Sequence, residues 1–479
     1  MVSFIISILV LIIAYYTYGK LVENIFEAQE DRETPAIRLR DDVDYMPMMT
    51  WRVFMIQFLN IAGLGPIFGA IAGAMYGPAA FLWIVLGSIF AGAVHDYFSG
   101  MLSVRHDGLS ISEIVGIYLG TRVKHIMRIF TVLLLIFVGT VFLVGPAKII
   151  DGMMDNSWGV WTWVSIILTY YILSTLLPID KLISKLYPIF GIAMLLMALG
   201  LLTALFVGNY QIPELIPENL INMTANPEET PLFPILFITI ACGAISGFHA
   251  TQSPLMARCI KNEKLGRKIF FGTMITEGIV ALIWAAAAMT FFGNVEGLNG
   301  AMIANNNNAA WAANEISLNM LGEIGGILAL LGIVAAPITS GDTAFRSARL
   351  ILSDILKLDQ KKIKNRLLLS LPLFMIAFVL TQLDFSIIWR YFAWSNQTLA
   401  TVVLWTITAY LISKNKAFWI TMIPAIFMTM VCSTYILIAP EGFQLANDLA
   451  YVGGALMTTC VSALFWIYIT KEKKVYSGT

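Results

Sequence analysis

Charged residues are scarce in this chain of 479 residues. Lys, Arg, Asp and Glu together make up 13% of it, whereas soluble domains usually carry about 25%. Hydrophobic residues reach 58%, and the mean hydropathy is +0.78. This scarcity of charge excludes an ordinary soluble domain and predicts a membrane protein.

Cysteine, histidine and the common catalytic motifs are also rare or missing. The four cysteines stand far apart, in or beside apolar segments: Cys242, Cys259, Cys432 and Cys460. Their spacing is neither a disulfide framework nor a zinc pattern. The sequence contains no HExxH, Walker A or GxSxG motif. We therefore expect no enzyme, no cofactor and no ATPase domain, so any uphill transport would use an ion gradient.

Long apolar runs are abundant. A membrane span needs about 20 residues, and thirteen segments of suitable length run over 2–19, 51–76, 78–103, 126–147, 160–177, 186–208, 232–256, 269–292, 323–345, 367–384, 385–411, 417–438 and 447–470. The first has no basic residue before it and no cleavage site after it, so we expect a retained helix. The fold class predicted is an all-α membrane protein with about 13 transmembrane helices.

The basic residues divide unevenly between the gaps that separate these segments. Seven alternate gaps hold 27 of the 30, and the gaps between them hold one, Lys148. Arg52 and Arg390 lie inside segments, near their ends. Because cytoplasmic loops retain Lys and Arg, we expect the N-terminus outside and the C-terminus in the cytoplasm. The zero net charge carries no information about nucleic acid, and no such partner is expected.

Two segments with matching interruptions open two runs of five helices. Gly and Pro break the first at 63–66 and the second at 243–254. Five is odd, so the second run enters the membrane inverted, as in inverted-repeat transporters. The alternative is chance, since Gly and Pro are common in membrane helices. The predicted division is an extra helix and linker (1–50), two inverted five-helix repeats (51–208 and 232–411), and two extra helices with a short cytoplasmic tail (412–479).

Breaks in membrane helices expose backbone groups that bind ions and carboxylates. The residues beside the two breaks are therefore the predicted substrate site: Asn60, Gly63, Gly65, Pro66, Gly247, His249, Thr251, Gln252 and Ser253. The alternative is that the glycines only allow close helix packing. That reading suits Gly69 and Gly73 better than the 63–66 break.

Ionisable residues inside spans are costly and therefore functional candidates. We expect His95, Asp96, Glu277 and Asp342 to carry protons, with a structural His95–Asp96 pair and an Asp342–Arg346 ion pair as the alternatives. Arg390 either extends to the interface or holds a substrate carboxylate. A zinc set of His95, Asp96 and His249 in an intramembrane metalloenzyme is a weaker possibility.

Several long motifs resemble one known family. They are NIAGLGPIFGAIAGAMYGPAAFLWIVLGSIFAGAVHDYFSGMLSVRHDG (60–108), ACGAISGFHATQSPLMARC (241–259), AAPITSGDTAFRSARLI (335–351) and IWRYFAWSNQTLA (388–400). They are similar to the carbon starvation protein A (CstA) family from about residue 42 to beyond 400. The resemblance implies a bacterial or archaeal inner-membrane protein associated with peptide uptake and proton-coupled pyruvate uptake. This chain is shorter than the long members of that family.

The resemblance further implies a LeuT-like fold of the amino acid–polyamine–organocation superfamily. Ala336, Thr339 and Ser340 are then similar to the cation site of sodium-coupled members, which makes Na⁺ a possible coupling ion. Trp394, Asn396 and Gln397, on the last helix of the second repeat, are expected to shape the substrate pocket, with plain packing as the alternative for Trp394.

The favoured function is a proton-coupled importer of a small carboxylate such as pyruvate, or of short peptides, during carbon starvation. A sodium-coupled carrier and a membrane sensor of starvation ligands are the alternatives. The expected partners are the substrate, the coupling ion and the lipid bilayer. The sequence leaves the oligomeric state open.

Overall fold

A computed structural model describes residues 1–41, 44–154, 158–176, 179–208, 210–360 and 362–477. The side chains of residues 176, 179–186 and 472–477 are outside this description. The side chains of four basic residues of the charge pattern are therefore outside this description, Lys181, Lys185, Lys473 and Lys474, and Lys361 is outside it altogether.

Helices dominate the described chain, because the long apolar runs can satisfy their backbone groups only internally in lipid. The first half contains α1 (Val2–Phe26), α2 (Thr50–Ala62), α3 (Gly65–Ala74), α4 (Ala79–Arg105), α5 (Ile111–Leu119), α6 (Thr121–Met153), α7 (Val160–Leu176) and α8 (Ile179–Val207). The second half contains α9 (Leu232–Thr239), α10 (Gly247–Ala257), α11 (Glu263–Phe291), α12 (Val295–Ala304), α13 (Ala309–Ala329), α14 (Ala336–Leu356), α15 (Ile363–Leu380), α16 (Phe385–Ser413), α17 (Trp419–Ile438) and α18 (Asn447–Ser477).

All thirteen predicted segments coincide with helices. Within the described residues, nine helices are long and apolar enough to cross a membrane, if α13 and α14, which a π-helical turn at Leu330–Ala335 joins, are counted as one. The number is ten if the bent pair α2 and α3 forms one span. The other three predicted spans fall on the short helix α7, on the broken pair α9 and α10, and on α16. The all-helical class is confirmed, while the number of thirteen crossings stays a prediction.

Contacts between loops define two ends of the molecule. One end, which we call the basic end, joins Arg32 and Arg105 to Glu263 and joins Lys416 to Glu27. The opposite end joins the Met1 amine to Glu214 and the Asn299 carboxamide to the Met75 and Met223 carbonyls. The basic loops that these contacts join therefore lie at one end of the described chain, in agreement with the charge pattern.

The two broken helices lie side by side and run in opposite directions. The α2–α3 pair bends by 52°. At the basic end, the Met48 amide just before α2 donates to the Cys259 carbonyl just after α10, over 3.1 Å. Further along, Gly69 of α3 approaches the carbonyl of Thr239 at the end of α9. An antiparallel pair is what the inverted repeat predicts for the first helix of each run.

Two glycines make this close approach possible. A Cβ atom built on Gly65 would stand 2.0 Å from the Cβ of Cys242, and one built on Gly73 would stand 2.3 Å from the Ile240 side chain. Both distances are far below contact between carbon atoms, so neither position admits a larger residue without movement. The prediction that Gly69 and Gly73 serve packing agrees with these contacts.

Candidate functional site

Four buried ionisable side chains meet beside the second break. Asp96 of α4 accepts a hydrogen bond from His95 Nδ1 at one oxygen and from His249 Nδ1 at the other, each over 2.8 Å. His249 Nε2, on α10, points at Glu277 Oε2 of α11 over 3.4 Å. All four side chains have no exposed surface. We call this set the titratable network.

The network joins the two predicted repeats. α4 belongs to the first repeat, whereas α10 and α11 belong to the second. His95 and Asp96 are neighbours in sequence, but His249 lies 153 residues from Asp96. A proton bound here would therefore affect the contact between two groups of helices that must move relative to each other if the protein transports.

The network is incompletely satisfied. Among the described residues, His95 Nε2, His249 Nε2 and both Glu277 oxygens have no hydrogen-bond partner. A buried carboxylate without hydrogen bonds is costly, so Glu277, whose ionic contact is His249 over 3.4 Å, is expected to hold a proton or a cation. Two carboxylates and two imidazoles give this site several ways to gain or lose a proton.

The thiol of Cys242 lies next to the titratable network. It lies in the break between α9 and α10, and ligand atoms of Cys242, His249 and Glu277 all lie within 4.8 Å of one another. Thiolate, imidazole and carboxylate suit a divalent transition metal such as zinc. The three-residue set differs from the predicted zinc set of His95, Asp96 and His249, because both Asp96 oxygens are already used by imidazole N–H groups. Sequence reasoning missed Cys242, although its place in the interrupted segment was a signal.

The N-terminus of α10 is capped by a side chain from another helix. Asn396 of α16 accepts from the Phe248 amide over 2.6 Å and donates to Ser246 Oγ over 2.9 Å. Gly247 must be small here, since its Cβ would lie 2.4 Å from the Asn396 carbonyl oxygen. Asn396 thus lies at the predicted break and ties it to the last helix of the second repeat.

Asn60, Gly63, Gly65 and Pro66 lie at the first break, as predicted. α2 ends at Ala62, Gly63 adopts a φ of 42°, and Pro66 is in the π-helical turn that opens α3. The Asn60 carboxamide is buried and has no hydrogen-bond partner among the described residues. Gln57, one turn earlier on α2, has the same property and was not predicted. Buried amides without partners are rare, so they mark a place where a ligand would be satisfied.

The polar stretch Thr251, Gln252 and Ser253 is helical rather than unwound. All three residues lie within α10, and the break itself spans 240–246. Thr251 donates to the Phe248 carbonyl, and Ser253 donates to the His249 carbonyl. Thr251 also lines a small cavity towards the basic end, next to Arg258 and Asp354.

Oxygen atoms converge at the predicted cation site on α14. Thr339 Oγ1 and Ser340 Oγ both approach the Ala336 carbonyl, and Ser340 Oγ also lies 3.1 Å from the Leu59 carbonyl of α2. Hydroxyl and carbonyl oxygens are ligands that hard cations prefer. The residues present therefore fit a sodium ion, and the site joins the first broken helix to α14.

Asp342 belongs to a different cluster. Its carboxylate accepts from the Ser174 hydroxyl and lies 3.8 Å from Arg346 one turn along α14. The spacing predicted this intrahelical pair as the alternative to proton transfer. No contact of Asp342 with the titratable network is found among the described residues.

Trp394 and Gln397 make packing and backbone contacts. The Trp394 indole N–H donates to the Cys432 carbonyl of α17, and the Gln397 carboxamide donates to the Phe237 carbonyl of α9. Gln397 therefore binds the last turn of α9, next to the second break, whereas Trp394 contacts the flanking helix α17.

A cavity of about 630 Å³ opens at the end opposite the basic end. We call it the vestibule. Phe68 of α3, Thr239 of α9 and Ala393 of α16 line it, three residues along the chain from Gly65, Cys242 and Asn396 respectively. The vestibule thus reaches from the surface towards both breaks. The small cavity beside Thr251 has a volume of about 40 Å³.

Comparison with known families identifies the family of the chain. The profile of the family described as "Carbon starvation protein CstA" matches residues 1–176, 157–324 and 314–435. The chain belongs to the CstA family. Its relatives in this family include an uncharacterized membrane protein of Haemophilus influenzae, 43% identical over 64% of this chain and 95% of that protein.

CstA-family members with named activities are more distant. The Bacillus subtilis protein called peptide transporter CstA is 27% identical over 59% of this chain and 57% of its own length. The pyruvate/proton symporter BtsT of Escherichia coli is 25% identical over 59% of this chain and 48% of its own length. The match covers only about half of each of these longer proteins, so their substrates are not carried over as facts.

The fold of this CstA-family chain recurs in a solved transporter. The Eremococcus coleocola manganese transporter superposes with a TM-score of 0.54 at 14% identity, over 90% of this chain and 99% of that one. This likeness shows the LeuT-like fold that the family resemblance implies. The apolar helices and the named relatives together show a multi-pass membrane protein of a family that includes transporters.

Outside the spans, one loop carboxylate is held firmly at the basic end. Glu113 of α5 accepts hydrogen bonds from Lys124 Nζ over 2.9 Å and from Arg128 Nε over 2.8 Å. Partial burial alone would raise the pKa of Glu113, but these two cations outweigh it and lower the pKa below its usual value of 4.5. Glu113 therefore stays ionised and ties α5 to α6.

Proposed function

We propose that this protein is a proton-coupled secondary transporter that imports a small carboxylate such as pyruvate, or short peptides, into the cell across the inner membrane. The named relatives support uptake of this substrate class. The substrate lies between the two breaks, near Asn60, Gly63, Gly65 and Gly247. Movement of one helix group against the other then gives alternating access.

The titratable network is the observation that carries the coupling proposal. Asp96 connects to His249 across the two predicted repeats, and Glu277 is buried without a hydrogen-bond partner in the described chain. Protonation would change the electrostatic contact between α4, α10 and α11, and these helices surround the second break. A proton bound here would thereby bias the helix arrangement that exposes the substrate site.

The test is uptake of labelled pyruvate by proteoliposomes that carry an inward proton gradient. A sodium gradient and a dipeptide competitor form parallel arms. We expect accumulation that a protonophore abolishes. Uptake that depends on neither ion gradient would contradict ion coupling. Uptake of the dipeptide alone would indicate a peptide substrate.

Sodium coupling is the second candidate, and the oxygen cluster of Ser340, Ala336 and Leu59 favours it. If sodium drives uptake, Ser340→Ala should raise the sodium concentration required for half-maximal uptake by about tenfold. In a proton-driven carrier the same change removes only the hydrogen bonds of the Ser340 hydroxyl to the Leu59 and Ala336 carbonyls, so uptake should stay independent of the sodium concentration. Ser370→Ala, at another buried serine, on α15, is the matched control.

Two other classes have simple tests. A membrane sensor would bind the substrate without translocating it, so proteoliposomes would show binding but no accumulation. A metal-dependent enzyme built on Cys242, His249 and Glu277 would contain stoichiometric metal, which elemental analysis of the purified protein measures directly.

A further inference from the structure

Lys148 is the one basic residue in the gaps that otherwise lack them. It lies near the end of α6 and lines the vestibule. The other gaps on this side of the membrane pattern hold no Lys or Arg, so the presence of Lys148 here calls for an explanation in its surroundings. The proposed function gives Lys148 none, since that function rests on the network beneath.

The ammonium of Lys148 is not neutralised by an ion pair. Within the described chain it has no salt bridge: its Nζ lies 4.9 Å from the centroid of the Phe385 ring, and Asp384 attracts it only from beyond ion-pair distance. The other cation of the vestibule, Arg390, is paired with Glu441 over 3.0 Å, and Glu441 also accepts from the Tyr435 hydroxyl. Lys148 is therefore the charge that this cavity leaves available to a ligand.

The surroundings strengthen the field of this charge. Lys148 is partly buried, and the vestibule walls include the Phe68, Phe385 and Trp389 rings. Apolar walls of low dielectric focus the potential of a charge inside a cleft and raise the local concentration of ions of opposite sign. Asp384 also lines the vestibule, but it is exposed at the mouth and caps α16 through the Ser386 amide.

We propose that Lys148 makes the vestibule an anion-selective entrance, which captures the carboxylate of an incoming substrate before it reaches the breaks. The identity of the captured substrate rests on the proposed function, whereas the attraction of anions by Lys148 does not depend on it. Lys148 acts on arrival of the substrate, so it sets the substrate concentration required for uptake rather than the coupling to protons.

The first test needs no transport. A cysteine introduced at Ala72, which lines the vestibule on α3, is treated with anionic and cationic methanethiosulfonate reagents of similar size. At low ionic strength we expect the anionic reagent to gain about tenfold in relative rate from Lys148. Lys148→Met should remove that gain and Lys148→Arg should keep it. The gain should decrease near physiological ionic strength, because the Debye length there is only about 8 Å and the charge is screened beyond it.

Asp384→Asn is the control of opposite sign. Removing this negative charge should increase the preference for the anionic reagent, and the fold should be unaffected because Asn also caps helices well. A reagent preference that Lys148→Met leaves unchanged would overturn the proposal. The wild-type protein, with its natural cysteines, gives the background rate.

The second test measures uptake. If proteoliposomes of the wild-type protein accumulate pyruvate, those of Lys148→Met should show a KM several-fold higher with little change in the maximal rate. Those of Asp384→Asn should show a lower KM. If Asp384→Asn instead raises KM for a dipeptide, the vestibule recognises both ends of a zwitterion. Absence of uptake by the wild type would count against the proposed function alone, since the reagent test would still report on Lys148. An unchanged KM in Lys148→Met would overturn the capture role.

Discussion

At the residue scale, Asp96 is the centre of the titratable network. Each of its oxygens accepts a hydrogen bond from a different imidazole, His95 on its own helix and His249 on α10. Buried hydrogen bonds to a charged group are stronger than neutral ones. Any change in the charge of Asp96 is therefore transmitted to both histidines.

Asp96→Asn is expected to abolish proton-driven accumulation while substrate binding remains measurable. The amide keeps the size of the side chain but cannot carry the negative charge that stabilises a protonated imidazole. Uptake under a proton gradient and equilibrium binding by the same purified protein are the two measurements.

Asp151→Asn, at a buried aspartate on α6, is the matched control and should transport normally. If Asp96→Asn expresses well and still accumulates substrate, the His95–Asp96 pair is structural.

Gly65 stands where the two broken helices are too close together for a side chain. Gly65→Ala would place a methyl group 2.0 Å from Cys242 Cβ, so the two broken helices would have to separate. Overpacking of this kind costs about 1–3 kcal/mol. We expect a lower thermal unfolding midpoint in detergent and a corresponding loss of transport.

A double variant tests that contact directly. Cys242→Gly removes the opposing Cβ, so adding it to Gly65→Ala should recover most of the lost stability. Gly300→Ala on α12, where nothing lies within 4 Å of the new atom, should cost nothing. Equal effects at positions 65 and 300 would show that the close approach is absent.

At the scale of elements, α5 depends on its tie to α6. Glu113 is more acidic when folded than its usual value of 4.5, because Lys124 and Arg128 stabilise its ionised form despite partial burial. A lowered pKa contributes stability that is fully present above about pH 4.5 and is lost as the pH falls through the lowered value.

Glu113→Gln should therefore lower the unfolding midpoint at neutral pH, and the difference from wild type should disappear in acid. With solvent screening, the tie is worth about 1 kcal/mol, or about 1–2 °C in a protein of this size. Tryptophan fluorescence during heating, repeated across pH, is the measurement. Glu33→Gln, at an exposed glutamate, should show no such difference, and a pH-independent effect at Glu113 would contradict the ion-pair explanation.

At the scale of the whole molecule, the two ends differ in charge, and the basic end is expected to face the cytoplasm. Asn307 and Asn415 form a matched pair for testing this. Both are exposed asparagines in turns with positive φ, 53° and 51°, and they lie at opposite ends.

Asn307→Cys should react with a membrane-impermeant maleimide in intact cells, whereas Asn415→Cys should react only after permeabilisation. The wild-type protein gives the background from its own cysteines. The reverse labelling pattern would invert the orientation, and labelling of both positions from outside would mean that the segments between them cross the membrane differently from the prediction.

The amino-acid sequence by itself determined the helices, the charged end and the family. Apolar runs must become helices in lipid, because no water satisfies their backbone groups there. The 27-to-1 division of basic residues fixed which loops share an end before any contact was known. Gly63, Gly65 and Pro66 gave the position of the first break, whereas the second spans 240–246 and not the predicted 243–254, because Pro254 lies within α10.

Only the tertiary structure decided which polar side chains work together. Asp96, His249 and Glu277 come from three helices, and their meeting depends on how those helices pack. The same packing gave Asn396 a capping role at Phe248, brought Cys242 to the network, and sent Asp342 to Ser174 instead. Local sequence records the period and the breaks of a helix, whereas contacts over 150 residues follow from the close approach of whole helices. That approach depends on small residues such as Gly65, whose partner Cys242 lies in the other half of the chain.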